Sequence, residues 1–305
     1  MLALILSLAV AAGAPETPPP VEQNVALGTD RTDRMTVPVS VAGSEEMPFV
    51  IDTGAERTVI SRQLAARLNL PKGPVRNLMT VTGSGKVDTV IVPSLELSGS
   101  KVREIEAPAL DEAHLGAHGM LGIDSLQSRR VTIDFKKNEM KVVPSRRPED
   151  TDPETIVVTA RNRFGQLILV DSRFLGEKVQ VIIDTGAQTS IGNMALLQRL
   201  TRRKKTPNLA SVTLTSVTGQ TLQAQFAQID RIQIGGVDMN NIPVAFADAE
   251  PFKRFGLANK PALLLGMDAL RLFQRVSVDF ANKQVRFILP DLSELNARTL
   301  VAALD

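Results

Sequence analysis

The chain has 305 residues, 43% hydrophobic and 22% charged, enough for one large or two medium domains with a sizeable core. It contains no Cys, which excludes thiol nucleophiles, disulfide frameworks and cysteine-held metals, and only two His, which excludes a His-rich metal site. Trp and Tyr are absent, against base-stacking platforms, and 35 basic residues against 33 acidic ones leave a formal charge of +2, so no nucleic-acid partner is expected.

The amino terminus reads as a leader. The apolar stretch Leu2–Ala12 is too short to span a bilayer comfortably and suits the core of a signal peptide. Ala12-Gly-Ala14 supplies the small-residue cleavage pattern, and the Pro-rich Pro15–Pro20 follows. The leading end carries no Lys or Arg, so an uncleaved anchor stays open as the alternative. Residues 1–24 are set apart as signal peptide and leader. The expectation is an exported protein, periplasmic or secreted, with no stable membrane insertion once the leader is gone.

From 25 to 146 the signals are mostly strand. Met35-Thr-Val-Pro-Val-Ser-Val41 alternates with period two, and Phe49-Val-Ile51 runs as a strand into Asp52-Thr-Gly-Ala55. Arg62–Leu68 is a short run of good helix formers, and another helical turn is expected after Gly122. His114 and His118 stand four apart, as helical metal ligands would. The Gly-containing residues between and after them read as a polar loop, and no third ligand is evident. No metal site is expected.

Pro144–Pro153 is charged, Pro-punctuated and without apolar periodicity, which marks a linker at 147–154. The second unit, 155–290, repeats the strand pattern. Val179–Ile183 leads into Asp184-Thr-Gly-Ala187, Met194–Leu200 is helical, and Leu222–Phe226 alternates. Arg202-Arg-Lys-Lys205 reads as the solvated end of that helix, where cations suit the terminal carbonyls. In the tail, 291–305, Leu292, Leu295, Leu300 and Leu304 have near-helical spacing.

The two units are copies. Asp-Thr-Gly-Ala recurs at a distance of 132 residues (Asp52 to Asp184), Val-Thr-Gly at 136 (Val81 to Val217), and Leu95-Glu-Leu97 matches Ile232-Gln-Ile234 at 137. Leu121-Gly-Ile-Asp124 matches Leu265-Gly-Met-Asp268 at 144, and Val131-Thr-Ile-Asp-Phe135 matches Val276-Ser-Val-Asp-Phe280 at 145. Five motifs in one order, with an offset that only grows, mean a duplication with short loop insertions. Asp134 and Asp279, inside the last pair, read as structural.

An apolar strand ending in Asp-Thr-Gly sets a carboxyl on a tight turn that another backbone can approach closely. Two such carboxyls at about 3 Å cannot both ionise, so they share a proton. One can then act as base toward a water while the other donates to a carbonyl, which is hydrolysis with no cofactor, no metal and no covalent intermediate.

The residues Ile51-Asp-Thr-Gly-Ala55 with Thr58-Val-Ile60, and Ile183-Asp-Thr-Gly-Ala187 with Ser190-Ile191, resemble the retropepsin-like aspartic proteases in a bacterial, exported, tandem form. The resemblance covers nearly all of the chain after the leader. It implies an all-β fold of two pseudo-symmetric β-barrel lobes with short helices and a cleft between them. It also implies an aspartic endopeptidase acting on a protein or peptide substrate as a monomer with an intrachain pseudo-dimer. Position by position, Asp52 and Asp184 would be the catalytic pair. Thr53, Gly54 and Ala55 with Thr185, Gly186 and Ala187 would form the supporting turns, the two Thr gripping one another's lobes. Thr82, Gly83, Thr218 and Gly219 would sit near the tips of two flaps. Leu121-Gly-Ile-Asp124 and Leu265-Gly-Met-Asp268 would pack behind the turns. Ala55 and Ala187 depart from the pepsin-like pattern, which has a hydroxyl there that favours the ionised carboxylate, so the pair should titrate higher. A catalytically inactive peptide-binding or scaffold module of the cell envelope is the alternative.

Overall fold

An apolar strand that stops at Asp-Thr-Gly must find partners for its backbone groups, and both units do so with the same insertion. The computed structural model describes residues 24–26, 28–29, 34–97, 99–126, 128–145, 153–169, 172–203 and 208–291. The expected signal peptide, most of the linker and the expected tail helix lie outside the described residues.

In the first unit Met35–Val41 pairs antiparallel with Met47–Ile51. Strand Gly119–Leu121 then lies parallel to Met47–Ile51 on one side and antiparallel to Val59–Ser61 on the other. Leu121 thereby sits opposite Ile51, the residue before Asp52. The sheet runs on through Ser100–Leu110 and Thr89–Leu97 and returns to Met35–Val41, with Ser40 opposite Glu96. That closes a six-stranded barrel. Its filling is the inward-facing set Val37, Val39, Phe49, Ile51, Leu95 and Leu121, all buried. The second unit repeats the order with Gln166–Leu169, Gln180–Ile183, Ala262–Leu265, Ile191–Gly192, Val237–Phe246, Thr221–Ile234 and Ser172–Phe174. Leu265 stands opposite Ile183 as Leu121 does opposite Ile51.

Helices are short and begin where a cap precedes good helix formers. Ser61 accepts from the Leu64 N–H ahead of Arg62–Arg67, and Asn193 accepts from the Leu196 N–H ahead of Met194–Arg203. Single turns follow Gly122 and Gly266, at Ile123–Leu126 and Met267–Leu270. Between His114 and His118 the chain is irregular from Gly116 to His118, as expected, but His114 and Leu115 belong to a helical turn, Glu112–Leu115, and Gly119 opens a strand. Asp111 caps the helical turn by accepting from the Ala113 N–H, and Gly116, at φ 75°, ends it in the left-handed conformation.

A third set of strands joins the units. Its order is Asn24–Ala26, Glu139–Pro144, Arg129–Asp134, Arg275–Asp279, Gln284–Ile288 and Ile156–Arg163. The two central strands contain the repeated segments and pair antiparallel with each other, Thr132 opposite Ser277. Those two residues are also equivalent in the repeat, so the pseudo-two-fold axis passes between them, where their hydroxyls meet at 3.0 Å. Asp134 and Asp279 hold the adjoining turns by accepting from the Lys137 and Asn282 N–H groups, and Asp134 also pairs with Arg275. Among the described residues no helix is long and apolar enough to cross a membrane.

Candidate active site

The same axis brings the two Asp-Thr-Gly turns face to face. The Thr53 N–H donates to Thr185 Oγ1 and the Thr185 N–H to Thr53 Oγ1, each at 3.1 Å. Each hydroxyl donates onward to the opposite strand, Thr53 to the Ile183 carbonyl at 2.9 Å and Thr185 to the Ile51 carbonyl at 2.8 Å. All four bonds are buried, so neither turn can shift without stranding a donor of the other.

Each carboxyl is then fixed by its own turn. Asp52 Oδ1 accepts from the Gly54 and Ala55 N–H groups at 2.7 and 2.9 Å, and Asp184 Oδ1 accepts from Gly186 and Ala187, both at 3.1 Å. Each carboxyl lies against the opposite turn, close enough for the two to shift each other's protonation. The glycines make this possible. A Cβ on Gly54 would stand 2.7 Å from the Asp184 carboxyl carbon, and one on Gly186 would overlap the Asp52 carboxyl. Ala55 and Ala187 leave no hydroxyl beside the pair, and their carbonyls accept from the Ile123 and Met267 N–H groups.

Burial raises the pKa of both acids. For Asp184, desolvation and the neighbouring Asp52 charge push it up to about 8. For Asp52 desolvation also dominates, opposed by the Gly54 and Ala55 N–H groups and the positive charge of Arg34. The pair therefore titrates as one unit, and the Arg34 charge and the shorter N–H bonds favour the ionised form at Asp52.

Four supporting residues lie outside the Asp-Thr-Gly signature. Asp124 accepts from the Thr58 N–H and hydroxyl, and Asp268 accepts from the same groups of Ser190, which ties each later element behind its catalytic turn. Their signal was already present in the repeat, as the fourth residue of each Leu-Gly motif. The other two are Arg34 and Gln166. Thr36 lies opposite Val50 as Ile168 lies opposite Ile182, so Arg34 and Gln166 are counterparts. Gln166 donates across the lobe boundary to the Gly54 carbonyl, whereas Arg34 donates to the Leu115 carbonyl and puts its charge near Asp52. Both are buried. A polar residue two positions before Thr36 and before Ile168 is the sequence trace, and it is weak because the two types differ.

The residues expected near flap tips lie at hairpin turns. In the first hairpin, Arg76–Thr80 with Gly83–Val87, the Val81 carbonyl accepts from the Glu250 N–H of the other lobe, and Val81 packs against the cluster of Phe252 and Phe255. In the second, Ala210–Thr215 with the start of Thr221–Ile234, Val217 packs against the first lobe's Leu110 and Leu115. Gly219, at φ 80°, rests on the His114 ring with no room for a Cβ. Thr82 donates to Gln220 at 3.1 Å, joining one tip to the other, and Thr218 meets Ser216 at 2.9 Å. Each hairpin thus crosses to the opposite lobe. His118 turns away to Glu112 at 3.0 Å, and among the described residues no cluster of three or more His, Asp or Glu could hold a metal ion.

The profile of a protein family described as aspartyl protease matches residues 37–125 and 170–269, one Asp-Thr-Gly turn in each segment. No curated protein matches the chain.

Proposed function

Because the chain belongs to the aspartyl protease family, with two retropepsin-like units in tandem, we propose that it is an endopeptidase whose Asp52 and Asp184 cleave peptide bonds with an activated water. The observation that carries this reading is a pair of carboxyls, Asp184 buried and Asp52 half-buried, held by reciprocal turns against each other and flanked by two hairpins that reach across to opposite lobes. Asp52, the more readily ionised, takes a proton from the water as its oxygen bonds to the peptide carbon. Asp184 gives its proton to the carbonyl oxygen. On collapse of the tetrahedral diol, Asp184 takes a hydroxyl proton back, Asp52 passes its proton to the departing nitrogen, and the C–N bond breaks. The starting protonation state returns.

The substrate is a protein or peptide. The active unit is the monomer, since a single chain supplies both acids, and the protein works outside the cytoplasm after loss of its leader. Incubation of the chain from Pro15 onward with a random peptide library tests the activity. Cleavage blocked by a statine-type transition-state mimic, at rates per molecule independent of protein concentration, is expected. A fully folded chain that binds peptides and cuts none would establish the peptide-binding module instead. Amino-terminal sequencing of the native protein tests export. A start near Pro15 is expected, and a membrane-bound protein that keeps Met1 refutes it.

A further inference from the structure

The duplicated halves have kept their catalytic turns alike but not the charge beside them. A cavity of about 270 Å³ lies between the first hairpin, the helical turn Glu112–Leu115 and the tip of the second hairpin. Both hairpin tips line it, and its lining residues Leu78, Val87 and Val217 pack against the same buried cluster as Ala55 of the catalytic turn.

Its ionisable lining is Arg62, Lys86, Asp111 and His114. The Asp111 carboxylate is held below its usual range, chiefly by the Ala113 N–H and the Gln63 side chain, with the His114 and Arg62 charges contributing. It is ionised and already engaged as a helix cap. Arg62 uses Nε on the Ala109 carbonyl at 3.2 Å, and among the described residues Lys86 makes no hydrogen bond or ion pair. Two cationic side chains therefore line the cavity against one acid, which serves as a helix cap through Oδ1.

The repeat supplies an internal comparison. Arg62 follows the cap Ser61 as Met194 follows the cap Asn193. Lys86 lies opposite Asn77 in the first hairpin where Gln223 lies opposite Thr213 in the second. Asp111 has its counterpart in Asp248. The acid is kept and both cations are lost. Both cations are exposed, so an anion seated between them gains chiefly from charge-assisted hydrogen bonds to two donors at once.

We propose, building on the endopeptidase reading, that this cavity is a substrate subsite for an acidic side chain. Arg62 and Lys86 determine that specificity, and the preference is confined to one side of the scissile bond because Met194 and Gln223 occupy the equivalent places on the other.

The test uses peptides identical except for Glu, Gln or Lys placed at each position in turn around one cleaved bond. At one position on one side, Glu should exceed Gln in kcat/KM by about tenfold, the scale of a hydrogen bond to a charged group, and Lys should be poorer still. Lys86→Glu, an exposed hairpin change, should lower the Glu-to-Lys ratio at that position alone, and Lys86→Glu combined with Arg62→Glu should invert it. Binding of the same peptides to Asp184→Asn, measured by fluorescence anisotropy, separates the two claims. Cleavage without a Glu preference, or a ratio indifferent to the charge reversals, overturns the subsite and leaves the protease. Glu-selective binding by a chain that cuts nothing overturns the protease and leaves the subsite. Neither cleavage nor selective binding overturns both.

Discussion

At the scale of single residues the chemistry rests on two acids that cannot substitute for each other. Asp52→Asn and Asp184→Asn should each lower kcat/KM by on the order of 10⁴-fold or more, and the double variant should be no worse, because groups that act as a unit are not additive. Substantial cleavage in either single variant would mean that the turns do not form one site. The pH profile follows from the same pair. With the Asp184 carboxyl pushed up to about 8, activity should fall as pH rises through that value and the acid's proton is lost. On the acid side, rates should rise as Asp52, itself raised from 3.8, ionises. Placing a hydroxyl beside either carboxyl, with Ala55→Ser or Ala187→Ser, should move the acid limb to lower pH, since a donor favours the charged form. A limb that stays put or moves upward, in a variant that keeps its wild-type circular dichroism, contradicts this. Neither the Arg34 charge nor its exchange for Gln166 in the other half could be predicted from the motif. Their places follow from strand register, which a lone polar residue near the start of a strand does not announce.

At the scale of elements, the reciprocal threonine bonds decide whether two turns become one site. Thr53→Val keeps the shape but removes an acceptor for the Thr185 N–H and a donor to the Ile183 carbonyl. The groups left are buried, so a loss of about 1–3 kcal/mol is expected in chemical unfolding, accompanied by a loss of cleavage. Thr53→Ser should recover most of both. Equal stability of Thr53→Val and Thr53→Ser would show that the grip contributes little. The hairpins behave differently: among the described residues their tips are held by a backbone bond, a side-chain bond, the packing of Val81 and Val217, and the contact of Gly219 with the His114 ring. Such limited contact suits elements that must open for a peptide.

The whole molecule is stabilised by a sheet that neither lobe completes alone. Phe287, fully buried in the strand next to the central pair, stacks on Phe273 with ring centroids 4.4 Å apart. Phe287→Ala should cost about 3–5 kcal/mol through lost burial and the cavity left behind. Because strands of both units share this sheet, far-UV circular dichroism should report a single unfolding transition, whereas lobes that melt separately would give two. The chain has no Trp or Tyr, so fluorescence would be a poor probe. The dyad also couples stability to pH. Below about pH 4 folded and unfolded chains both hold the Asp184 proton. Between about 4 and 8 only the unfolded chain releases it, so this carboxyl takes stability away as pH rises, and above about 8 its effect is constant. Asp184→Asn should flatten that slope, and a slope identical in wild type and variant would rule the carboxyl out as its source.

The amino-acid sequence by itself determined the duplication, the lobe pattern and the two Asp-Thr-Gly turns, because each rests on local order: a repeated motif, a period of two, a glycine after a short polar pair. The helical turn at His114 also rests on local signals, the Asp111 cap and the Gly116 stop. What tertiary structure alone decided are relations between distant segments. The proximity of carboxyls 132 residues apart, from Asp52 to Asp184, depends on Thr132 meeting Ser277 at an axis. The unequal charge of the two halves depends on where Arg34, Arg62 and Lys86 reach: Arg34 is buried with its charge near Asp52, and the other two line the exposed hairpin cavity. A pattern within one strand fixes which side chains point inward, but long-range register and burial set which of them share one low-dielectric site and how strongly they shift each other's protons.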